Sequence, residues 1–117
     1  MRTALLALLA SLPLLAACGD GAAAPGATAA RAEAKTLTVG MTASQFGPAT
    51  AQAHAGDTIV FRNDDGVAHT VTATEGADFD SGTMAPGAIF AYVARRPGRV
   101  SYVCQFHPGM TGMLTVR

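Results

Sequence analysis

The stretch that decides the fold is Tyr102-Val103-Cys104-Gln105-Phe106-His107-Pro108-Gly109-Met110-Thr111-Gly112. Its first residues read as the end of a strand, with Val100, Tyr102 and Cys104 sharing one face at the two-residue period of β structure. Pro108, Gly109 and Gly112 then exclude a helix, so the three-residue spacing of Cys104, His107 and Met110 is not a helical face. It is a compact loop that can fold a thiol, an imidazole and a thioether around one point. Taken singly, each has a plain reading: a buried cysteine acting as a small hydrophobe, a loop histidine and a core methionine. Together they form a set of soft metal ligands.

Upstream, His69 follows the Gly66-Val67-Ala68 loop signal at the head of a strand-like run, on the same side as Val71. It can face the same end of the domain and supply a second imidazole. A buried neutral histidine needs a partner for each ring nitrogen, and a metal plus one hydrogen bond would satisfy both. Two histidine nitrogens, a cysteine sulfur and a weak axial methionine sulfur are the donor set of a mononuclear blue-copper site. Met113 offers another thioether. Leu114 and Val116 take the inward positions of the last strand, which turns Met113 outward and favours Met110. His54, between Ala53 and Ala55 and ahead of a Gly-Asp turn, reads as a solvated residue rather than a second metal site.

Working outward, strands are expected over Leu37 to Met41, Ala49 to Ala55, Thr58 to Asn63, Ala68 to Ala73, Ala88 to Ala94, Val100 to Cys104 and Leu114 to Val116. Breaks fall at Phe46-Gly47-Pro48, Gly56-Asp57, Asn63-Asp64-Asp65-Gly66, Ala85-Pro86-Gly87 and Arg96-Pro97-Gly98. Between Thr74 and Gly82 a polar loop is expected, with Phe79 as its apolar anchor. Short strands with turn signals every eight to twelve residues and no helical period predict an all-β fold. The expected form is a small antiparallel Greek-key β-sandwich of about seven or eight strands. At about 80 residues, a single core is marginal and a bound metal adds stability.

The chain has 117 residues, enough for one ordinary domain. Arg2 followed by the apolar run Ala4 to Ala17 is too short to span a bilayer, which takes roughly 20 residues, and reads as a signal peptide. Leu15-Ala16-Ala17-Cys18 resembles the lipobox of bacterial lipoproteins, which implies lipidation of Cys18. The alternative is an ordinary secretory signal with Cys18 incidental. The expected organisation is a signal over 1–17, a lipidated cysteine and Ala/Gly-rich linker over 18–35, and the domain over 36–117. Such a linker, if it behaves as a flexible chain, reaches on the order of 20–25 Å. The domain is thus expected outside the cytoplasm, in the periplasm, held to a membrane through its lipid. With Cys18 consumed, Cys104 is the only thiol left, and an unpaired thiol in an oxidising compartment calls for burial or a metal. Residues 18–117 carry seven basic and eight acidic side chains with no basic run, which argues against nucleic acid as a partner.

Asp57 to Asn63, Ala68-His69-Thr70-Val71, Phe79-Asp80-Ser81-Gly82, Ala85-Pro86-Gly87 and the 102–112 stretch resemble the cupredoxin family over nearly all of Thr36 to Arg117. The Cys-x2-His-x2-Met loop is most similar to that of amicyanin; plastocyanin's loop has two more residues before its methionine. The resemblance implies a type 1 copper ion cycling between Cu(I) and Cu(II). His69, Cys104 and His107 would be its equatorial ligands and Met110 its axial one. It implies a one-electron carrier rather than an enzyme, acting as a monomer between a donor and an acceptor such as a cytochrome c, a dehydrogenase or an oxidase. The alternative role is a copper-handling protein that passes on the metal itself. The histidine of the ligand loop, His107, would be the electron port, and Val67, Ala68, Met84, Phe106 and Pro108 are expected to form an apolar docking patch around it. One departure stands out: the family often has Asn after its first histidine ligand, tying the two ligand loops together. This chain has Thr70, whose hydroxyl is expected to substitute.

Overall fold

The computed structural model describes residues 33–117. The expectations for the signal peptide, Cys18 and most of the linker fall outside them. Eight strands are formed: β1 (Thr36–Thr42), β2 (Gln45–Gly47), β3 (Thr50–Ala53), β4 (Thr58–Asn63), β5 (Thr72–Glu75), β6 (Ile89–Val93), β7 (Gly98–Val103) and β8 (Thr111–Val116). They build two four-stranded sheets, ordered β2-β1-β4-β6 and β3-β8-β7-β5. The chain changes sheet at every connection except β1–β2 and β7–β8, which gives a sandwich of crossed connections. The all-β sandwich follows the sequence pattern, but its sheets are mixed rather than antiparallel. β1 runs parallel to β4 and β3 parallel to β8. Alternation along a strand reports which face is buried and carries no sign of the neighbour's direction, so the sequence pattern could not separate these cases.

The alternation places Val39, Met41, Phe46, Ile59 and Phe61 of one sheet against Ala51, Ala53, Val100, Tyr102, Leu114 and Val116 of the other, all buried. Tyr102 is the hub. Its ring meets Phe46 edge-on at 4.9 Å and Phe61 at 5.2 Å, geometries that add to the apolar burial. Phe79 anchors its loop as expected, packing 4.5 Å from Tyr92 and 6.1 Å from Phe61 between ring centroids.

Two of the departures from the sequence reading bear on the site. Gln45–Gly47 forms a short edge strand where a break was expected, turned back onto β1 by a two-residue hairpin loop, Ala43-Ser44. Both loop residues have positive φ, 50° and 55°. That is the type I′ combination usually given to Asn-Gly, and it costs a non-glycine residue about 1–2 kcal/mol. The strand expected over Ala68 to Ala73 starts only at Thr72. Its first residues spend their amides elsewhere: His69 N–H on Met84 O, Thr70 N–H on Cys104 Sγ and Val71 N–H on Ser81 Oγ. This segment is the crossing from one sheet to the other, and it delivers His69 to the end of the sandwich.

At the opposite end, the buried Asp57 carboxylate accepts N–H bonds from Lys35 (2.8 Å) and His54 (2.9 Å). The His54 amide first, then that of Lys35, hold the carboxyl below its ordinary range against an upward push from burial. Because its folded pKa lies below the unfolded one, Asp57 contributes stability that is complete above the unfolded value of about 3.9 and is lost as pH falls through the folded value. Asp57→Asn is therefore expected to lower the unfolding midpoint at neutral pH, with the gap to wild type closing in strong acid. A gap that stays constant across that titration would contradict the assignment.

Candidate metal centre

Three segments converge at the end of the sandwich where β4 and β7 finish. Asn63, fully buried at the end of β4, organises two of them. Its Nδ2 donates to Val67 O (2.8 Å) and Met84 O (3.0 Å), and its Oδ1 accepts the Asp65 amide (2.9 Å). Every polar atom of this buried side chain is used, so the 64–68 loop and the 84–88 loop have one arrangement. The third segment closes on itself: Cys104 N–H donates to Met110 O (3.0 Å) and Met110 N–H to His107 O (3.1 Å). Gly109, at φ 85°, makes the reversal that these bonds require.

His69, Cys104 and His107 thereby present one donor atom each to a common centre. His69 Nδ1 and His107 Nδ1 are 3.2 Å apart, and Cys104 Sγ lies 3.7 Å from the first and 3.5 Å from the second. A point equidistant from the three atoms lies about 2.0 Å from each, within the range of nitrogen and thiolate bonds to a first-row divalent ion (about 2.0–2.3 Å). His69 is completely buried, Cys104 nearly so and His107 half-buried. Such a cluster of electron-rich atoms, largely removed from water, is satisfied by a cation at that point. Copper suits the set: thiolate and imidazole together select it, in a trigonal arrangement with a weak fourth donor.

What orients His69 leaves no sign of that role in the sequence pattern. His69 turns its other ring nitrogen, Nε2, onto Asp65 Oδ2 at 3.0 Å. An ionised carboxylate only accepts, so Nε2 carries the proton and Nδ1 keeps its lone pair facing the centre. Asp65 is itself held by the Ser44 amide (2.9 Å) and the Gly66 amide (2.9 Å). The Ser44 amide, the His69 ring and the Gly66 amide, in that order, keep its carboxyl below the usual range against burial. The left-handed turn at Ala43-Ser44 thus has a use: it aims an amide at the carboxylate that orients His69. In the sequence, Asn63 and Asp65 were visible only as loop formers. Their signal was the Asn-Asp-Asp-Gly run three to six residues before His69.

Cys104 is tuned as well. Burial pushes its thiol up, but the Thr70 amide (N–H to Sγ 3.4 Å), the His107 ring and the amides of Phe106 and His107 outweigh it and leave the pKa below its ordinary value. Thr70 also joins the two ligand loops through its side chain: its Oγ1 accepts the Gln105 amide at 2.9 Å. The two segments are tied on both sides of the thiol.

Met110 is buried at the loop's end and Met113 is half-buried on β8, with Leu114 and Val116 inward, as the alternation predicts. His54 is exposed, just beyond β3. Of the expected apolar patch, Val67 (48%) and Phe106 (49%) are exposed, Pro108 is exposed and Ala68 half-buried. Met84 does not belong to that surface. It is buried, and its backbone pairs with His69.

A two-sheet sandwich that holds a cysteine and two histidines around one point, with a methionine closing the loop, defines a class of mononuclear metal protein. The chain belongs to the cupredoxin-like domain family, whose profile matches residues 5–116. Copper is the cofactor that this family and this donor set share. No curated protein matches the chain. Among solved structures it is similar to a purple cupredoxin from Nitrosopumilus maritimus (24% identity, TM-score 0.65, 69% of this chain and 99% of that one). It is similar to a reduced amicyanin variant (22%, TM-score 0.66, 70% and 82%). It is also similar to a copper-containing nitrite reductase from Thermus scotoductus SA-01 (23%, TM-score 0.66, 70% of this chain), of which it spans only 22%. At these identities the likeness is one of fold, and the functional reading rests on the site of this chain.

Proposed function

We propose that this protein is an exported blue-copper one-electron carrier, with His69, Cys104 and His107 as equatorial ligands and Met110 as the weak axial one. The observation that carries the reading is the triangle of His69 Nδ1, His107 Nδ1 and Cys104 Sγ, held by hydrogen bonds from three separate segments. Copper, when bound, supplies a one-electron couple between Cu(I) and Cu(II). The protein supplies the rest. Asp65 fixes the His69 tautomer, and the Thr70 amide lowers the charge density on the Cys104 thiolate. The Asn63 bonds and the loop's own backbone bonds resist the rearrangement that a change of oxidation state would otherwise drive.

Four protein donors leave no open position for a substrate, which argues for a carrier rather than an enzyme. His107 is the least buried of the three convergent ligands and lies between exposed Phe106 and Pro108. Its edge is the electron port, and Val67, Ala68, Phe106 and Pro108 form the apolar ring on which a redox partner docks, a cytochrome c, dehydrogenase or oxidase being suited to it. The domain is proposed to work in the periplasm as a monomer, tethered through lipidated Cys18 and the 18–35 linker. Mass spectrometry of the mature amino terminus tests that attachment independently of the copper site.

The visible spectrum of the protein loaded with Cu(II) decides the main reading. A carrier shows an intense copper–thiolate charge-transfer band, whereas a copper-handling or zinc protein shows a weak one or none. Met110→Leu is expected to retain copper and colour while raising the reduction potential, since loss of a weak axial donor favours Cu(I). An unchanged potential in voltammetry would move the axial assignment away from Met110.

A further inference from the structure

The hydroxyl that ties the ligand loops together does not act alone. Thr70 Oγ1 lies 3.1 Å from Thr72 Oγ1, and the Thr72 hydroxyl donates to Asp80 Oδ1 at 3.2 Å. A carboxylate accepts only, and a hydroxyl has a single proton to give. With its proton committed to Asp80, Thr72 accepts from Thr70. With its own proton committed to Thr72, Thr70 keeps its lone pairs for the Gln105 amide. The charge of Asp80 therefore fixes the direction of every hydrogen bond from the surface to the residue after Cys104.

The geometry that supports this chain is itself closed. Ser81 N–H donates to Val71 O (2.9 Å), Val71 N–H to Ser81 Oγ (2.7 Å), and Gly82 N–H to Asp80 Oδ1 (2.9 Å). Thr72 and Asp80 pair as an isolated antiparallel bridge. The 80–82 segment is thus zipped to 70–72, and 70–72 to 104–105. Thr70 is buried, Thr72 half-buried and Asp80 exposed, so the far end of the chain is reached from solvent.

We propose that Thr72 and Asp80 are positioning residues for the copper centre, the outer members of a directed hydroxyl relay that clamps the Cys104 loop onto the His69 segment. Linked bonds of this kind polarise one another, so each strengthens the next. The Gln105 amide is held by a Thr70 oxygen made more electron-rich by its own donation. The Thr70 amide is held where it donates to Cys104 Sγ. Loosening the relay weakens that last bond, raises the charge on sulfur and favours Cu(II), so the reduction potential falls. The inference rests on the copper reading for its effect on potential, but not for its effect on the loop.

The test uses five variants. In the copper-free protein, exchange of the Gln105 amide hydrogen, followed by NMR, should be about fivefold faster in Thr70→Val, the loss of one net hydrogen bond. It should be faster by a smaller factor in Thr72→Val and Asp80→Ala, and near wild type in Thr70→Ser, which restores the hydroxyl. In the Cu(II)-loaded protein the same order should appear as a falling potential and a shifted charge-transfer band. Thr74→Val, which removes a neighbouring hydroxyl bonded to Ser101 O, should move neither readout. If Thr70→Val does not fold, Thr72→Val and Asp80→Ala, at less buried positions, carry the test alone. Wild-type Gln105 exchange and wild-type potential in those two variants would overturn the relay. Failure of the wild-type chain to take up copper would overturn the copper reading instead, with the exchange measurement still deciding the relay.

Discussion

Cys104→Ser is expected to remove the charge-transfer colour of the cupric protein entirely and to leave the sandwich folded. The colour of such a centre comes from charge transfer out of a thiolate, and no other described side chain can provide one: Cys104 is the only cysteine among residues 33–117. Serine would keep the small size and would accept the Thr70 amide, so the hydrogen bond that reaches Sγ at 3.4 Å has a successor. What serine cannot do is ionise near neutral pH. The thiol is already held below its ordinary pKa before any metal is considered, whereas a hydroxyl would have to be deprotonated by the metal alone. The two imidazoles remain, so residual copper binding through nitrogen is expected, weaker and of the ordinary pale type. Far-ultraviolet circular dichroism should match wild type, since Cys104 lies just past the end of β7 and serine is close to it in size. An intense visible band in the serine variant would remove Cys104 from the ligand set and with it the carrier reading.

The parts of this architecture legible in the sequence were those that leave a local pattern. The inward alternation of Ile59 and Phe61, of Val100, Tyr102 and Cys104, and of Leu114 and Val116 was read directly and is buried as expected. The convergence of Cys104, His107 and the distant His69 was legible because few chemistries need those three residue types together. The parts not legible depend on what lies opposite. The parallel pairings of β1 with β4 and β3 with β8 leave no trace in either strand alone. Gln45–Gly47 looked like a break because its strand is three residues long and ends in glycine. Asp65 looked like a turn residue, which it is, and only the fold shows that the turn points it at His69 Nε2. Met84 carried the expected apolar character but not its burial, which shows only once its segment is paired with His69 in the fold.

Gly112→Ala is expected to produce a large loss of stability at a position outside the proposed ligand set. A Cβ there would stand 2.2 Å from Tyr102 Cε2, 2.4 Å from Cζ and 2.7 Å from the hydroxyl oxygen, distances that no real contact permits. The tyrosine faces Gly112 directly across the β7–β8 ladder. Its ring has no free direction, being 1% exposed and wedged edge-on between Phe46 and Phe61. Overpacking of this kind costs about 1–3 kcal/mol, and a ring this deeply buried belongs at the upper end. For a domain of this size each kcal/mol lowers the unfolding midpoint by about 4–8 °C, so a fall of about 12–24 °C is expected. The hydroxyl of Tyr102 finds no hydrogen-bond partner among the described residues, and burial raises its pKa to about 12, so it remains neutral. Shrinking the ring in the same chain therefore loses packing but no polar contact. Gly112→Ala/Tyr102→Leu should recover part of the midpoint, while Gly112→Ala/Tyr102→Phe should not, because the clashing ring carbons persist. The strain also reaches the metal end, since Gly112 follows Met110 by two residues and Thr111 is paired with Val103, the residue before Cys104. Copper stabilises only the folded state, by an amount that grows with its affinity. The midpoint rise on adding Cu(II) should thus be smaller in Gly112→Ala than in wild type. A variant that melts within a few degrees of wild type, with the same rise on copper, would show that β8 can move away from Tyr102 at little cost and that the ligand loop is not braced from this side.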